Sequence, residues 1–385
     1  MEAPPSMTGP RTFLSLEVSW MTLLRSLAFL LGVAAVLLAL RSAIQTFVLP
    51  RSARDRLTGM VFQAVRRLFD LRIRWIHSYR DQDRIMAFYA PLSLLMLLPT
   101  WLGIILAGYM AMFWGLGAQS WGQAFWLSGS SLFTLGFATA DTRSQQLLIF
   151  SEATIGLILV ALLIAYLPTM YGAFSRREAA VTLLEIRAGS PPSAAEMLIR
   201  FHRLGTLDHL SHQWVQWEQW FADLGESHTS LAPLVFFRSP QPEHSWLTAA
   251  GTVLDAAALV ASTVDVPRDA QAELCIRAGF VALRQIADFF RIPYNPDPHF
   301  PQDPISICRQ EFDEVYQRFA AEGIPVKPDQ EQAWRDFAGW RVNYDTVLLS
   351  LALMIHAPYA PWTSDRSPVL PLGQGQPARP IHWAR

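Results

Sequence analysis

Thr134, Leu135, Gly136, Phe137 and Ala138 stand together inside the stretch Trp121–Asp141, WGQAFWLSGSSLFTLGFATAD. A threonine hydroxyl followed by a run of backbone carbonyls offers hard oxygen donors and no nucleophile or general acid. The chemistry open to such a row is replacement of a cation's hydration shell. Gly136 allows the positive φ values that turn successive carbonyls to one side. A short helix ahead of the row would direct the negative end of its dipole at the cation.

Other residues with chemical potential point elsewhere. Glu152 is an acid in an otherwise uncharged apolar run, and a carboxylate there needs a partner. Ser128, Trp126 and Trp121 are within sequence reach of it, and a pairing with Arg143 at a water interface is the alternative. Farther on, His202, Asp208, His209, His212 and Glu218 cluster in sequence. On a helix, His209 and His212 share a face, which makes a metal pair geometrically open. No second HxxH or ExxH completes such a site, and Trp214, Trp217, Phe221 and Leu224 form an apolar stripe beside it. Core packing is therefore expected, with no metal in this part of the chain. Cys275 and Cys308 form no CxxC and read as inert thiols. There is no P-loop, no GxGxxG after a strand and no nucleophile elbow, so neither an enzyme nor a bound cofactor is expected.

The elements that must hold the oxygen row are apolar. The 385-residue chain is 51% hydrophobic and 16% charged, with no charged side chain from Ile85 to Ala140 or from Ala153 to Ser175. About 20 apolar residues cross a hydrocarbon core, so these runs are membrane signals. A third lies at Ser26–Leu40, bordered by Arg25 and Arg41, whose stems can snorkel to the interfaces. It shows no small-x-small cleavage site followed by a soluble domain, and reads as an uncleaved span. Residues 51–84 carry nine arginines and four aspartates, a net +5, which makes this connector cytoplasmic by the positive-inside rule. Leu57, Met60, Val61, Ala64, Val65, Leu68 and Leu71 recur in it at helical spacing. The segment reads either as a basic helix in the membrane interface or as a solvated connector.

The predicted order after this connector is a span (86–113), a half-length helix, the oxygen row, a polar turn, and a further span (147–174) ending at Arg176-Arg177. Non-helical backbone at membrane depth is tolerated only where it is buried or lines a watery cavity. The layout is that of a re-entrant loop.

AFWLSGSSLFTLGFA resembles the pore helix and selectivity filter of potassium channels of the two-helix-plus-pore-loop type, over about residues 86–175. The resemblance makes Thr134 the filter threonine, Gly136 the first filter glycine and Phe137 the aromatic between the glycines. It makes Trp126 the aromatic bracing the filter, with Ser128, Ser131 and Glu152 as further pore-helix support. Gly156 falls near the family's hinge glycine, and Pro168 is placed to bend the end of the helix. The family fold implies a homotetramer around one axis, with potassium or another monovalent cation as permeant ion. Two departures stand out: Ala138 replaces the second filter glycine, and the acid that normally follows at once is displaced to Asp141. If position 138 needs a left-handed backbone, alanine costs about 1–2 kcal/mol per chain.

The expected fold is thus an all-α membrane protein: a pore-loop cation channel unit, an extra N-terminal transmembrane helix and an α-helical cytoplasmic domain. The expected divisions are a tail at 1–20, a first span at 21–49, the basic connector at 50–85 and the channel unit at 86–175, with pore helix and filter at 121–141. A helical cytoplasmic domain follows at 176–362, then a flexible Pro- and Gly-rich tail at 363–385. Within that domain, helices are expected at 177–188, 193–204, 206–224, 244–262, 268–291, 308–322 and 328–357. The function expected is conduction of monovalent cations across a plasma or inner cell membrane, in contact with lipid and without nucleic acid. The alternative is a membrane-anchored signalling or scaffold protein whose loop does not conduct.

Overall fold

The computed structural model describes residues 11–49, 55–76 and 78–366, with side chains from Trp20 onward except that of Asp208. Residues 1–10 of the expected N-terminal tail and 367–385 of the expected C-terminal tail lie outside the described residues. All helices and turns considered below come from the described part, which contains no strand, only an isolated bridge between Val264 and Val326.

The chain begins with α1 (Arg11–Phe47), followed by α2 (Arg56–Ile73), α3 (Tyr79–Met86), α4 (Tyr89–Gly115), α5 (Trp121–Leu132) and α6 (Arg143–Ala188). Then come α7 (Ala194–Arg203), α8 (Ser211–Ser230), α9 (Trp246–Ser262), α10 (Ala270–Phe290), α11 (Arg309–Ala321), α12 (Gln330–Arg341) and α13 (Asp345–Ile355). Three stretches are long and apolar enough to cross a membrane: Trp20–Phe47, Tyr79–Gly115 and Arg143–Ala188. The chain divides into two compact units. Within the described residues, one unit holds 11–49, 55–62 and 93–168, and the other holds 63–92 and 169–366.

In the first unit, α1 packs antiparallel on α4 through glycine. A Cβ added to Gly108 would lie 2.9 Å from the Gly32 carbonyl oxygen, and one added to Gly115 would lie 2.8 Å from that of Arg25. Such backbone-to-backbone approach is how apolar helices gain dispersion energy where no hydrophobic drive exists between them. Near the other end of α1, the buried Ser42 hydroxyl accepts from Trp101 Nε1 at 2.8 Å and donates to the Asp55 carboxylate. Asp55 in turn accepts from the Thr58 amide at 2.7 Å, capping the first turn of α2. Phe47 sets its ring against Trp101 (centroids 5.0 Å apart) and Tyr166 (4.8 Å). The first helix is therefore built into this unit from Arg25 to Phe47. Within the described residues it already runs at Arg11, ahead of the expected Met21, and no glycine or proline interrupts the sequence between Arg11 and Leu31. Pro91 falls in the first turn of α4, where its missing N–H has no partner to lose, while Pro99 lies inside the helix.

The second unit is organised by α9, buried at nearly every position from Trp246 to Ser262. A helix apolar all round belongs in a core. Around it pack α8 and α10, with Gly279 so close to Phe221 that an added Cβ would lie 2.9 Å from the ring. The expected helix 328–357 is two helices, parted at residues 342–344 by a buried charge network. Arg341 donates through Nη1 to both Asp255 oxygens (2.6 and 2.8 Å), through Nε to Asp345 (2.7 Å) and through Nη2 to the Trp362 carbonyl (2.7 Å). Tyr344 adds a hydrogen bond to Asp255 at 2.9 Å. Burial acts to lower the Arg341 pKa, but Asp255 and Asp345 outweigh it and hold the guanidinium above its ordinary value. Residues 177–188 continue α6 without a break, and the apolar 347–355 run is the buried α13. Residues 363–366, expected in the flexible tail, are fixed: Thr363 is buried and Arg366 donates to Glu311 at 2.8 Å.

Candidate functional site

The site is built on α5. Ser120 caps it by accepting from the Gln123 amide at 3.1 Å, and the Gln123 side chain accepts from the Gln119 amide at 2.7 Å. Twelve residues at 1.5 Å each give about 18 Å, roughly 12 Å short of a hydrocarbon core. The helix stops because Thr134 (φ 54°) and Gly136 (φ 72°) turn left-handed. Glycine takes this conformation freely, whereas a β-branched threonine there is strained by about 1–3 kcal/mol. Ala138 is not left-handed, so the penalty anticipated for alanine at that position does not arise.

A residue without a role in the sequence reading, Ser130, holds the loop. Its carbonyl accepts from the amides of Leu135 (2.8 Å) and Gly136 (3.4 Å), and its hydroxyl accepts from the Ala138 amide (3.0 Å). The signal was present as the polar run SGSS inside an otherwise apolar helix. Trp126 meets Phe137 edge to face, with centroids 5.6 Å apart, and Trp121 stacks on Trp114 at 5.3 Å. Phe133, Leu135 and Phe137 nonetheless remain exposed, as does Trp126.

Behind α5, Glu152 is fully buried. Both its oxygens are used: Ser128 donates to one and Ser131 to the other, the second at 2.8 Å. Ser128 also lies 3.2 Å from the Leu106 carbonyl on α4, so these contacts join α4, α5 and α6. The alternative pairing with Arg143 does not form, and Arg143 is exposed. Next along α6, Gly156 faces the end of α5, where an added Cβ would overlap the Leu132 carbonyl oxygen. Helix α6 runs unbroken through both Gly156 and Pro168.

In the second unit, Arg177, which the sequence marks only as half of a basic pair at the end of an apolar run, is a buried anchor. It donates to the carbonyls of Leu234 (2.8 Å) and Phe237 (2.7 Å), and meets His228 Nε2 at 3.2 Å. Because arginine has no acceptor, His228 must accept at Nε2 and carry its proton on Nδ1. Burial, and then the Arg177 charge, push the His228 pKa well below its ordinary value. One residue beyond Phe237, Arg238 pairs with Asp83 of α3 and donates to the Ile355 carbonyl at 2.9 Å. The strap Leu234–Arg238 thus grips α6 through Arg177 and α3 through Asp83.

The histidine pair expected on one helix face is divided. His209 closes a single 3-10 turn at Leu207–His209, while His212 belongs to α8 and lies 3.0 Å from Gln216 Nε2. The single residue Leu210 lies between the two elements. Among the described residues no three His, Cys, Asp or Glu side chains group as metal ligands. Burial raises the Cys275 thiol pKa, which makes it unreactive. No protein-family model, curated protein or solved structure matches the chain.

Proposed function

We propose that the chain is one subunit of a cation channel. Four copies surround an axis, each contributing the loop Thr134–Ala138, and monovalent cations, potassium foremost, lose water against its oxygens. The observation that carries this reading is the loop itself. A half-length helix between two apolar spans ends in a row with left-handed residues at 134 and 136, tied on one side to Ser130 while Phe133, Leu135 and Phe137 are uncovered. Uncovered aromatic and aliphatic side chains at membrane depth gain most when neighbouring copies pack over them. A chain contributing one such loop completes a ring only as an oligomer.

The excess of arginine in the 51–84 connector favours an orientation with α2, α3 and the helices that follow α6 in the cytoplasm, and with Asp141 outside. The strap Leu234–Arg238 then grips the inner ends of two spans, which favours a helical domain that biases a gate at the α6 end. Ala138 in place of a glycine leaves potassium-over-sodium discrimination to the inner part of the row. Recording from the purified protein in a planar bilayer, with potassium on one side and sodium on the other, tests this. A current reversing toward the potassium equilibrium potential is expected. Silence under every condition of voltage, pH and lipid would favour a scaffold without conduction.

A further inference from the structure

The outward face of α2 has a composition that a soluble connector does not need. Leu68 and Leu71 on α2 and Trp75 in the turn after it are 68%, 58% and 78% exposed, and beside them stand the exposed Arg67 and Arg72 of the helix and Arg74 of that turn. The two acids of this segment are already engaged: Asp55 caps the first turn of the helix through the Thr58 amide, and Asp70 is held by Arg66 at 2.9 Å. The inner face differs in kind. Val65 is buried, Phe69 meets Tyr89 with ring centroids 5.9 Å apart, and Arg66 is neutralised by Asp70 at 2.9 Å while lying over the Tyr89 ring. Tyr89 is the first residue of α4, four positions into the charge-free run that begins at Ile85. The helix therefore packs on the first residue of α4, while its exposed side and the turn after it carry three large apolar side chains and three arginines that form no ion pair among the described residues.

We propose that this face is a docking surface for anionic lipid headgroups. Leu68, Leu71 and Trp75 enter the boundary between headgroups and acyl chains, and Arg67, Arg72 and Arg74 bind the lipid phosphates. Charge selects the occupant: a second copy of the same face would oppose arginine to arginine, whereas an anionic leaflet complements it. The inference rests on the membrane reading above but not on conduction, and its test has no ion-flux readout.

The test uses the full chain purified in detergent and mixed with phosphatidylglycerol or phosphatidylcholine, with retained lipids counted by native mass spectrometry. Wild-type protein is expected to retain phosphatidylglycerol over phosphatidylcholine by roughly tenfold or more, and the R67Q/R72Q/R74Q variant is expected to lose that preference at unchanged oligomeric mass. A preference that survives the triple substitution overturns the proposal. A second measurement guards against a folding defect in the triple variant. A spin label on Leu71→Cys, in a Cys308→Ser background, is placed in phosphatidylglycerol vesicles. Collision with dissolved oxygen and shielding from a water-soluble nickel chelate are expected. Free access for the chelate overturns the proposal, as does dipolar broadening from a second label, which would assign the face to another copy.

Discussion

Gly156 on α6 lies against the carbonyl oxygen of Leu132 at the end of α5; a Cβ at 156 would overlap that oxygen and stand 3.2 Å from Leu132 Cδ1. The two helices touch backbone to backbone at the point where the Thr134–Ala138 row begins. Glycine is needed here for approach, in a helix that shows no break. Gly156→Ala is expected to force the contact apart at a cost of about 1–3 kcal/mol. Gly103→Ala, with open space around it, is expected to be neutral or stabilising. Thermal unfolding of both variants in detergent checks the contrast, and an equal effect would remove the special role of 156.

Which parts of this were legible beforehand follows from which signals are local. Charge-free runs and arginine borders mark the three helices long and apolar enough to cross a membrane, and proline and glycine mark most breaks of the helical unit. The end of α5 was legible because Gly136 lies just past it. Contacts made by ordinary residues across the fold were not legible. Ser130 looks like its neighbours, Arg177 looks like half of a basic pair, and the break at 342–344 depends on Asp255, some 86 positions away from Arg341. Periodicity cannot report a partner that distant in sequence. That His209 and His212 belong to different elements was not legible either, because a single turn of tighter helix precedes α8.

Glu152 with Ser128 and Ser131 forms the polar joint behind α5. Glu152→Gln keeps an acceptor and a donor that the serine hydroxyls can meet, and is expected to be nearly neutral. Glu152→Leu removes both acceptors and is expected to cost about 1–3 kcal/mol, the penalty for stranding buried polar groups. Unfolding midpoints of the two variants at fixed pH measure the difference; equal midpoints would show that the joint contributes nothing.

Strain at Thr134 is expected to separate stability from activity. Thr134→Gly relieves a left-handed threonine strained by about 1–3 kcal/mol, offset in part by the entropy of glycine. The variant should therefore unfold no earlier than wild type, yet lose selective flux because the hydroxyl is gone. Thr134→Ser retains the hydroxyl and should retain flux. Parallel calorimetry and flux assays on the two variants check this, and full selectivity in the glycine variant would exclude the hydroxyl from the site.

The neutral His228 beside Arg177 sets a pH dependence. Its folded pKa lies well below the unfolded value near 6.5, so the unfolded chain takes up the proton first. Stability is therefore lost as pH falls through about 6.5, by roughly 1.4 kcal/mol between pH 7.5 and 5.5 from this group. His228→Gln, which can still accept from Arg177, should flatten that part of the profile. Tryptophan-fluorescence unfolding of the full chain at the two pH values provides the comparison, and parallel profiles would contradict the assignment.

The central claim is that the row Thr134–Ala138 conducts cations, and potassium efflux from liposomes holding the purified protein tests it most directly. Wild-type protein is expected to release trapped potassium down its gradient. Gly136→Val, which places a β-branched residue at φ 72°, is expected to abolish release while the particle keeps the mass of four chains. Equal efflux from the variant, or none from wild type under any condition of voltage, pH and anionic lipid, would contradict the account.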